Sequence, residues 1–202
     1  MSERSLTYDD EVSPRATPLS ADDRRSALVG ATLPLLLERG RAVTTKQIAA
    51  AAGVAEGTIF RVFDSKDDLV TAALEHAFAL EPFLDDLRAI DPDQPLRPLV
   101  AEVVTVLQRR FRGIFELMTA VGMVGPPKVH RQMEHQREEA TAIMTRLLAP
   151  HQHELEVPVA EFAHITRLLT FSGTHPHISD GRTLTTDQIV ATVLDGLHSR
   201  ES

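Results

Sequence analysis

Among the side chains able to do chemistry, the histidines stand out. All nine lie after residue 75, in pairs such as His151-Gln152-His153 and His175-Pro176-His177, with Glu161-Phe162-Ala163-His164 as a Glu-x-x-His element. A carboxylate-bridged di-iron bundle needs that element twice, and Asp195-Gly196-Leu197-His198 is a poor second copy. No cysteine is present, so thiolate ligands, thiol nucleophiles and disulfides are excluded. The chain has no Gly-x-Ser-x-Gly elbow, Walker loop or His-Glu-x-x-His pair. The histidines therefore read as loop polarity and partly buried side chains; no cofactor, no metal and no enzymatic activity are expected, with a helical metal-binding enzyme kept as an alternative. What remains is the stretch "TTKQIAAAAGVAEGTIFRVFDSKDDL", Thr44 to Leu69, in which a short polar helix around Glu56, Thr58 and Arg61 has no evident place in a core.

The elements that position this stretch are helices. Hydrophobic residues make up 43% of the 202 residues, with eight Phe, one Tyr and no Trp; Ala, Leu and Val dominate, which favours helix over sheet. Residues 1–18 carry Pro14 and Pro18 without periodicity and read as a flexible tail. Ser20 with Asp22 and Asp23 caps a first helix that ends near Arg39-Gly40, with Pro34 expected to bend it. Thr44-x-x-Gln47 is a capping box flanked by a Val43 and Ile48 staple, and Gly53 ends the helix that it opens. A short helix over Glu56 to Val62 follows, and Ser65 caps a long helix running towards Arg88. "DPDQP" breaks both composition and periodicity, which places a domain boundary within residues 85–95. Beyond it come helices striped by Leu99, Val103, Val104, Leu107 and Phe111, by Val129, Met133, Gln136, Ala140, Ile143 and Leu147, and by Val159, Phe162, Ala163, Thr166, Leu169 and Phe171. A separate short helix is expected from Ile114 to Val124, and Thr185-x-x-Gln188 opens a last helix. The division is thus a tail over 1–18, a head over 19–66, a connecting helix over 67–88 and a second helical domain over 89–202.

Charge is unevenly distributed. Residues 15–66 hold eight basic against five acidic side chains, although the chain as a whole carries a net charge of −8. A basic head on an acidic body excludes a protein that coats nucleic acid over its whole surface but permits a local contact. The first twenty residues show no secretory h-region and no apolar run is long enough to span a bilayer, so a soluble cytoplasmic protein without membrane contact is expected.

In a helix-turn-helix unit one helix braces across the DNA backbone while the second lies in the major groove, so the second keeps a polar face free for base edges. Ala49 and Gly53, with Ile48, Ala52, Val54, Ile59 and Val62 on the inner sides, supply the small contact, the turn and the apolar packing that such a pair requires. A helical hairpin buried in a core would leave Glu56, Thr58 and Arg61 without a purpose. Thr44-Thr45 before Ile48-Ala49, then "AGVAEGTIF", Phe63 and "SKDDL", resembles the DNA-binding head of TetR-type transcriptional regulators. The resemblance implies an all-α fold with a three-helix head and a C-terminal domain for ligand binding and dimerisation. It further implies that Thr44, Thr45 and Lys66 hold phosphates of an operator duplex and that Glu56, Gly57, Thr58 and Arg61 face bases, with Lys46 and Phe60 completing the DNA-binding set. Phe60 stands where the family usually has Tyr, which removes a hydrogen bond to phosphate, and Val62 replaces a frequent His or Tyr. For Glu56 two readings stay open: acceptor from cytosine N4, or an acid favourable to the helix dipole.

The remainder carries no motif of its own. The nearly all-round apolar helix after Val157 asks for a second partner and, with the Ile189 to Leu197 helix, is expected to form a four-helix bundle across a homodimer. Four of the five methionines fall between Met118 and Met144, interleaved with phenylalanines. A pocket among Phe111, Phe115, Met118, Met133, Met144 and Phe162, with His164 or Arg167 as polar contacts, would suit a small apolar effector; for any single one of these residues ordinary core filling is the equal alternative. The sequence therefore reads as a one-component regulator, a repressor released from its operator by an unidentified small molecule, with a DNA-binding regulator lacking an effector as the alternative.

Overall fold

The computed structural model describes residues 20–123 and 130–196, with side chains from residue 137 onward in the second segment. These residues are helical, without strand. Helix α1 spans Ala21–Arg39, capped by a Ser20 and Asp23 box, and passes Pro34 as one helix. Helices α2 (Thr45–Ala51), α3 (Glu56–Ile59) and α4 (Lys66–Phe78) complete the head, followed by α5 (Glu81–Arg88), α6 (Leu96–Ala120), α7 (His130–Leu148), α8 (Val159–Thr174) and α9 (Thr186–Asp195).

Two expectations are corrected. The connecting helix towards Arg88 is two helices: α4 stops at Phe78, Ala79 turns extended with ψ 135°, and α5 starts at Glu81 with Pro82 in its first turn. In a continuous helix the Pro82 ring would strike the carbonyl of Phe78, so the chain breaks and restarts where a proline is harmless. The reverse happens at Ile114–Val124. No separate helix forms there; α6 runs 25 residues straight through Gly113 to Ala120. An exposed glycine inside a helix costs only about 1 kcal/mol, which the packing of Phe115, Leu117 and Val121 offsets.

Two hydrophobic cores result. One gathers Leu84, Leu87, Leu99, Val104, Leu107, Met144, Leu148, Phe162 and Ile189 from α5 to α9. The other gathers Leu28 and Leu36 of α1, Val43, Ile48, Ile59, Phe63 and Leu69, Ala73 and Leu74 of α4, and closes with Leu117 and Val121 at the end of α6. The head's core thus draws on residues that belong, by sequence, to the second domain. Arg110 fastens the same junction: its guanidinium donates to the carbonyls of Ala77 (3.0 Å) and Phe78 (2.7 Å) at the end of α4, where the helix dipole is negative.

At the α1 terminus Gly40 is buried with φ 57° and ψ −145°. A Cβ placed there would lie 2.3 Å from the Ala120 carbonyl oxygen. Both the backbone conformation and the space require glycine. Gly40→Ala is expected to destabilise the protein by about 3 kcal/mol, measured by denaturant unfolding of the full chain; a change below about 0.5 kcal/mol would show that α6 does not press on this turn.

Candidate nucleic-acid interface

Thr44 caps α2 by accepting from the Gln47 amide (3.2 Å), while Gln47 Oε1 accepts from the Thr44 amide (2.9 Å). Val43 and Ile48, both wholly buried, form the staple beneath. Gly53 then takes φ 67° and the chain turns as the Gly53 amide donates to the Ala50 carbonyl and the Val54 amide to that of Ala49. Helix α3 is only four residues long. Beyond Ile59 the backbone continues as turns, with Val62 and Phe63 donating to the Ile59 carbonyl, so the expected helix to Val62 is a helical turn plus a tightened end. A helix this short cannot hold itself. Ile59 and Phe63 anchor it in the head core, and the Arg25 guanidinium lies 4.4 Å over the Phe63 ring, a cation–π contact that closes the core's edge.

This anchoring turns the polar side outward. Glu56, Gly57, Phe60 and Arg61 are exposed and Thr58 is half-buried. A Cβ at Gly57 would meet nothing within 4 Å, so the space over it is open to an approaching surface. Phe60, at 55% exposure, is an apolar ring left open to solvent. Lys46 is exposed on the preceding helix. The expected base-facing residues thus share one surface.

Two further contacts were not foreseen from the sequence. Thr45 Oγ1 donates to Glu56 Oε1 at 2.5 Å, joining the first residues of α2 and α3. Lys66, expected to point at phosphate, turns its ammonium onto the carbonyls of Arg41 and Val43, each at 3.2 Å. It ties the start of α4 to the turn ahead of α2, with the third N–H left to point elsewhere.

The expected effector set is not gathered in one place. Phe111 and Phe115 meet Phe171, each with centroids at 5.2 Å, and Phe115 meets His175 at 4.3 Å, an aromatic cluster that adds Phe171 and His175, both distant in sequence from the methionine-rich stretch, to the expected pair. Met144 and Phe162 lie in the body core, whereas Met118 packs on the head core. Met133 falls outside the described side chains. His164 is exposed, with Arg167 Nη2 at 3.5 Å from its Nδ1; burial, and then the charge of Arg137, push the Arg167 guanidinium below its usual range. A half-open cavity of about 240 Å³ lies at the junction of head and body instead, lined by Leu33, Leu37, Phe78, Arg110, Ile114 and Leu117 among others. Among the described residues no three His, Asp or Glu side chains are placed to hold a metal, and no helix is long and apolar enough to cross a membrane. His151 binds Glu154 (2.6 Å) and His175 Nδ1 accepts the His177 and Ile178 amides.

Residues 28–73 match the family described as "Bacterial regulatory proteins, tetR family". Over 78 residues the chain is 41% identical to the HTH-type transcriptional repressor KstR2 of Rhodococcus jostii, an alignment that covers 35% of each chain. The chain therefore spans about a third of the length of that curated relative. Two solved structures share the fold over most of their length. A transcriptional regulator from Rhodococcus sp. aligns with a TM-score of 0.57 at 16% identity, covering 85% of this chain and 96% of that one. FadR from Bacillus subtilis, in complex with stearoyl-CoA, aligns with a TM-score of 0.51 at 13% identity, covering 86% and 99%. Residues 28–73 thus carry a tetR-family segment, and the described residues share the all-helical fold of the two solved regulators.

If Lys66 holds the head together, Lys66→Met should lower stability by about 1 to 2 kcal/mol in the absence of DNA, through the two carbonyls that lose their donor. Thermal unfolding of the full chain checks this, and an unchanged transition would leave Lys66 without a structural part.

Proposed function

We propose that this protein is a one-component repressor that binds a palindromic operator as a homodimer and is released by a small-molecule effector. The observation that carries the reading is the outward surface of Glu56, Gly57, Thr58, Phe60 and Arg61, raised on a four-residue helix that the head core anchors from below. Arg61, a long donor with the reach of a guanine O6 and N7 pair, reads a base. Thr44, Thr45, Lys46 and the third N–H of Lys66 contact phosphates and set the register.

The dimer forms through α8 and α9. Ile165 and Leu168 on α8 are each 44% exposed in the single chain, which a partner copy would cover as a four-helix bundle. The effector is apolar or amphipathic. Support comes from the aromatic cluster of Phe111, Phe115 and Phe171 and from the acyl-CoA held by the FadR structure of the same fold. Its action is to change the spacing of the two heads, and the site of action is the cytoplasm, on double-stranded DNA, without membrane contact.

Arg61→Ala should cost about 1 to 3 kcal/mol on the operator and relax the choice of base at one symmetric pair of positions. The check is a titration of both proteins against the operator and its single-base variants. An equal loss on every duplex would assign Arg61 to phosphate instead. Light scattering at micromolar concentration should give the mass of a dimer, twice 22.3 kDa, and a monomeric mass would contradict the α8 and α9 interface.

A further inference from the structure

The bond between Thr45 and Glu56 links the residue assigned to phosphate with one assigned to a base. Thr45 has a single hydroxyl proton, and it goes to Glu56 Oε1 at 2.5 Å, across eleven positions of sequence. The acceptor is a carboxylate, so the bond is of the strong, charge-assisted kind. A DNA phosphate is only an acceptor. While the proton is held by Glu56, the Thr45 side chain has nothing to donate to it, and the adjacent negative charge repels it. Glu56 is itself exposed at the start of α3, on the surface that carries Gly57 and Arg61.

We infer that Glu56 is a specificity-determining residue that withholds Thr45 from the DNA backbone until a base offers the carboxylate another donor. On a duplex that presents an exocyclic amine at the right step, as cytosine N4 does in the major groove, Glu56 exchanges the Thr45 hydroxyl for the base. The hydroxyl is then free to turn to the neighbouring phosphate. On any other sequence the exchange has no second half: the phosphate contact stays unmade and the carboxylate's repulsion stays in force. Base reading and backbone contact are thereby coupled, and discrimination comes in part from a penalty placed on the wrong sequence. A carboxylate aimed at a polyanion, unhelpful for affinity, acquires a purpose in specificity.

The inference rests on the DNA-binding reading above, and the test separates the two. Full-length wild type is used to enrich duplexes from a randomised pool. Wild type, Glu56→Gln, Glu56→Ala and Thr45→Val are then titrated against the enriched duplex and the starting pool at several salt concentrations. Removing the charge should tighten binding to the random pool about threefold to tenfold, in both Glu56 variants, and the ratio of enriched to random affinity should fall at least about tenfold. Thr45→Val should weaken the enriched duplex and leave the random pool where it was. If both Glu56 variants bind the random pool as wild type does, or if Thr45→Val weakens both DNAs equally, the inference is overturned. Equal losses on both DNAs by Glu56→Ala and Thr45→Val, with a lowered melting temperature, would make the bond a mere tether and overturn it too. A wild type that enriches no duplex would remove the DNA-binding reading and the inference with it.

Discussion

The head depends on a contact made by the body. Leu117 and Val121, at the end of α6, fill the core that supports α2 and α3, and the Ala120 carbonyl sits where a side chain at position 40 would have to be. Gly40 leads directly into the turn whose carbonyls, at Arg41 and Val43, Lys66 holds. Thr44, the cap of α2, follows at once. A displacement of α6 along or across its axis therefore acts on the turn that aims α2. Protein interiors pack too densely to absorb such a displacement as compression, so the head must tilt with it or α6 must lose contact.

The same helix belongs to both cores. Leu99, Val103, Val104 and Leu107 sit in the body core while Leu117 and Val121 sit in the head core. Arg110 lies between the two sets and holds the end of α4. Its guanidinium is partly buried, which pushes its pKa below the usual range, and its Nε has no partner among the described residues. The junction cavity opens beside it. Head and body are joined by packed apolar side chains and a few directional bonds, the kind of joint that has discrete arrangements instead of continuous ones.

What could be read in the sequence follows from how local each determinant is. The Thr44 and Gln47 box, the Val43 and Ile48 staple and Gly53 act within a few residues, and each is found as expected. The Thr185 and Gln188 box is likewise present. The break at Ala79 was present in the sequence as Pro82, whose ring excludes the residue 78 carbonyl from a continuous helix. The continuity of α6 through Gly113 was hidden: packing by Phe115 and Leu117 decides it, not local propensity. Of the site, the exposed face of α3 was legible because Glu56, Thr58 and Arg61 surround one buried apolar residue, Ile59, within a few positions of sequence. The Thr45 to Glu56 and Lys66 to Val43 bonds span 11 and 23 positions and depend on how helices cross, which no local pattern specifies. The scatter of the expected effector residues between two cores has the same origin.

The proposed function requires two copies of this head to read one palindromic duplex. Hydroxyl-radical footprinting of the full-length protein, on a duplex selected for tight binding, tests it most directly. The account predicts two symmetric protected segments whose centres lie about 34 to 36 Å apart, or a further whole turn if the heads splay. A single protected segment, or uniform weak protection over the whole duplex, would contradict it.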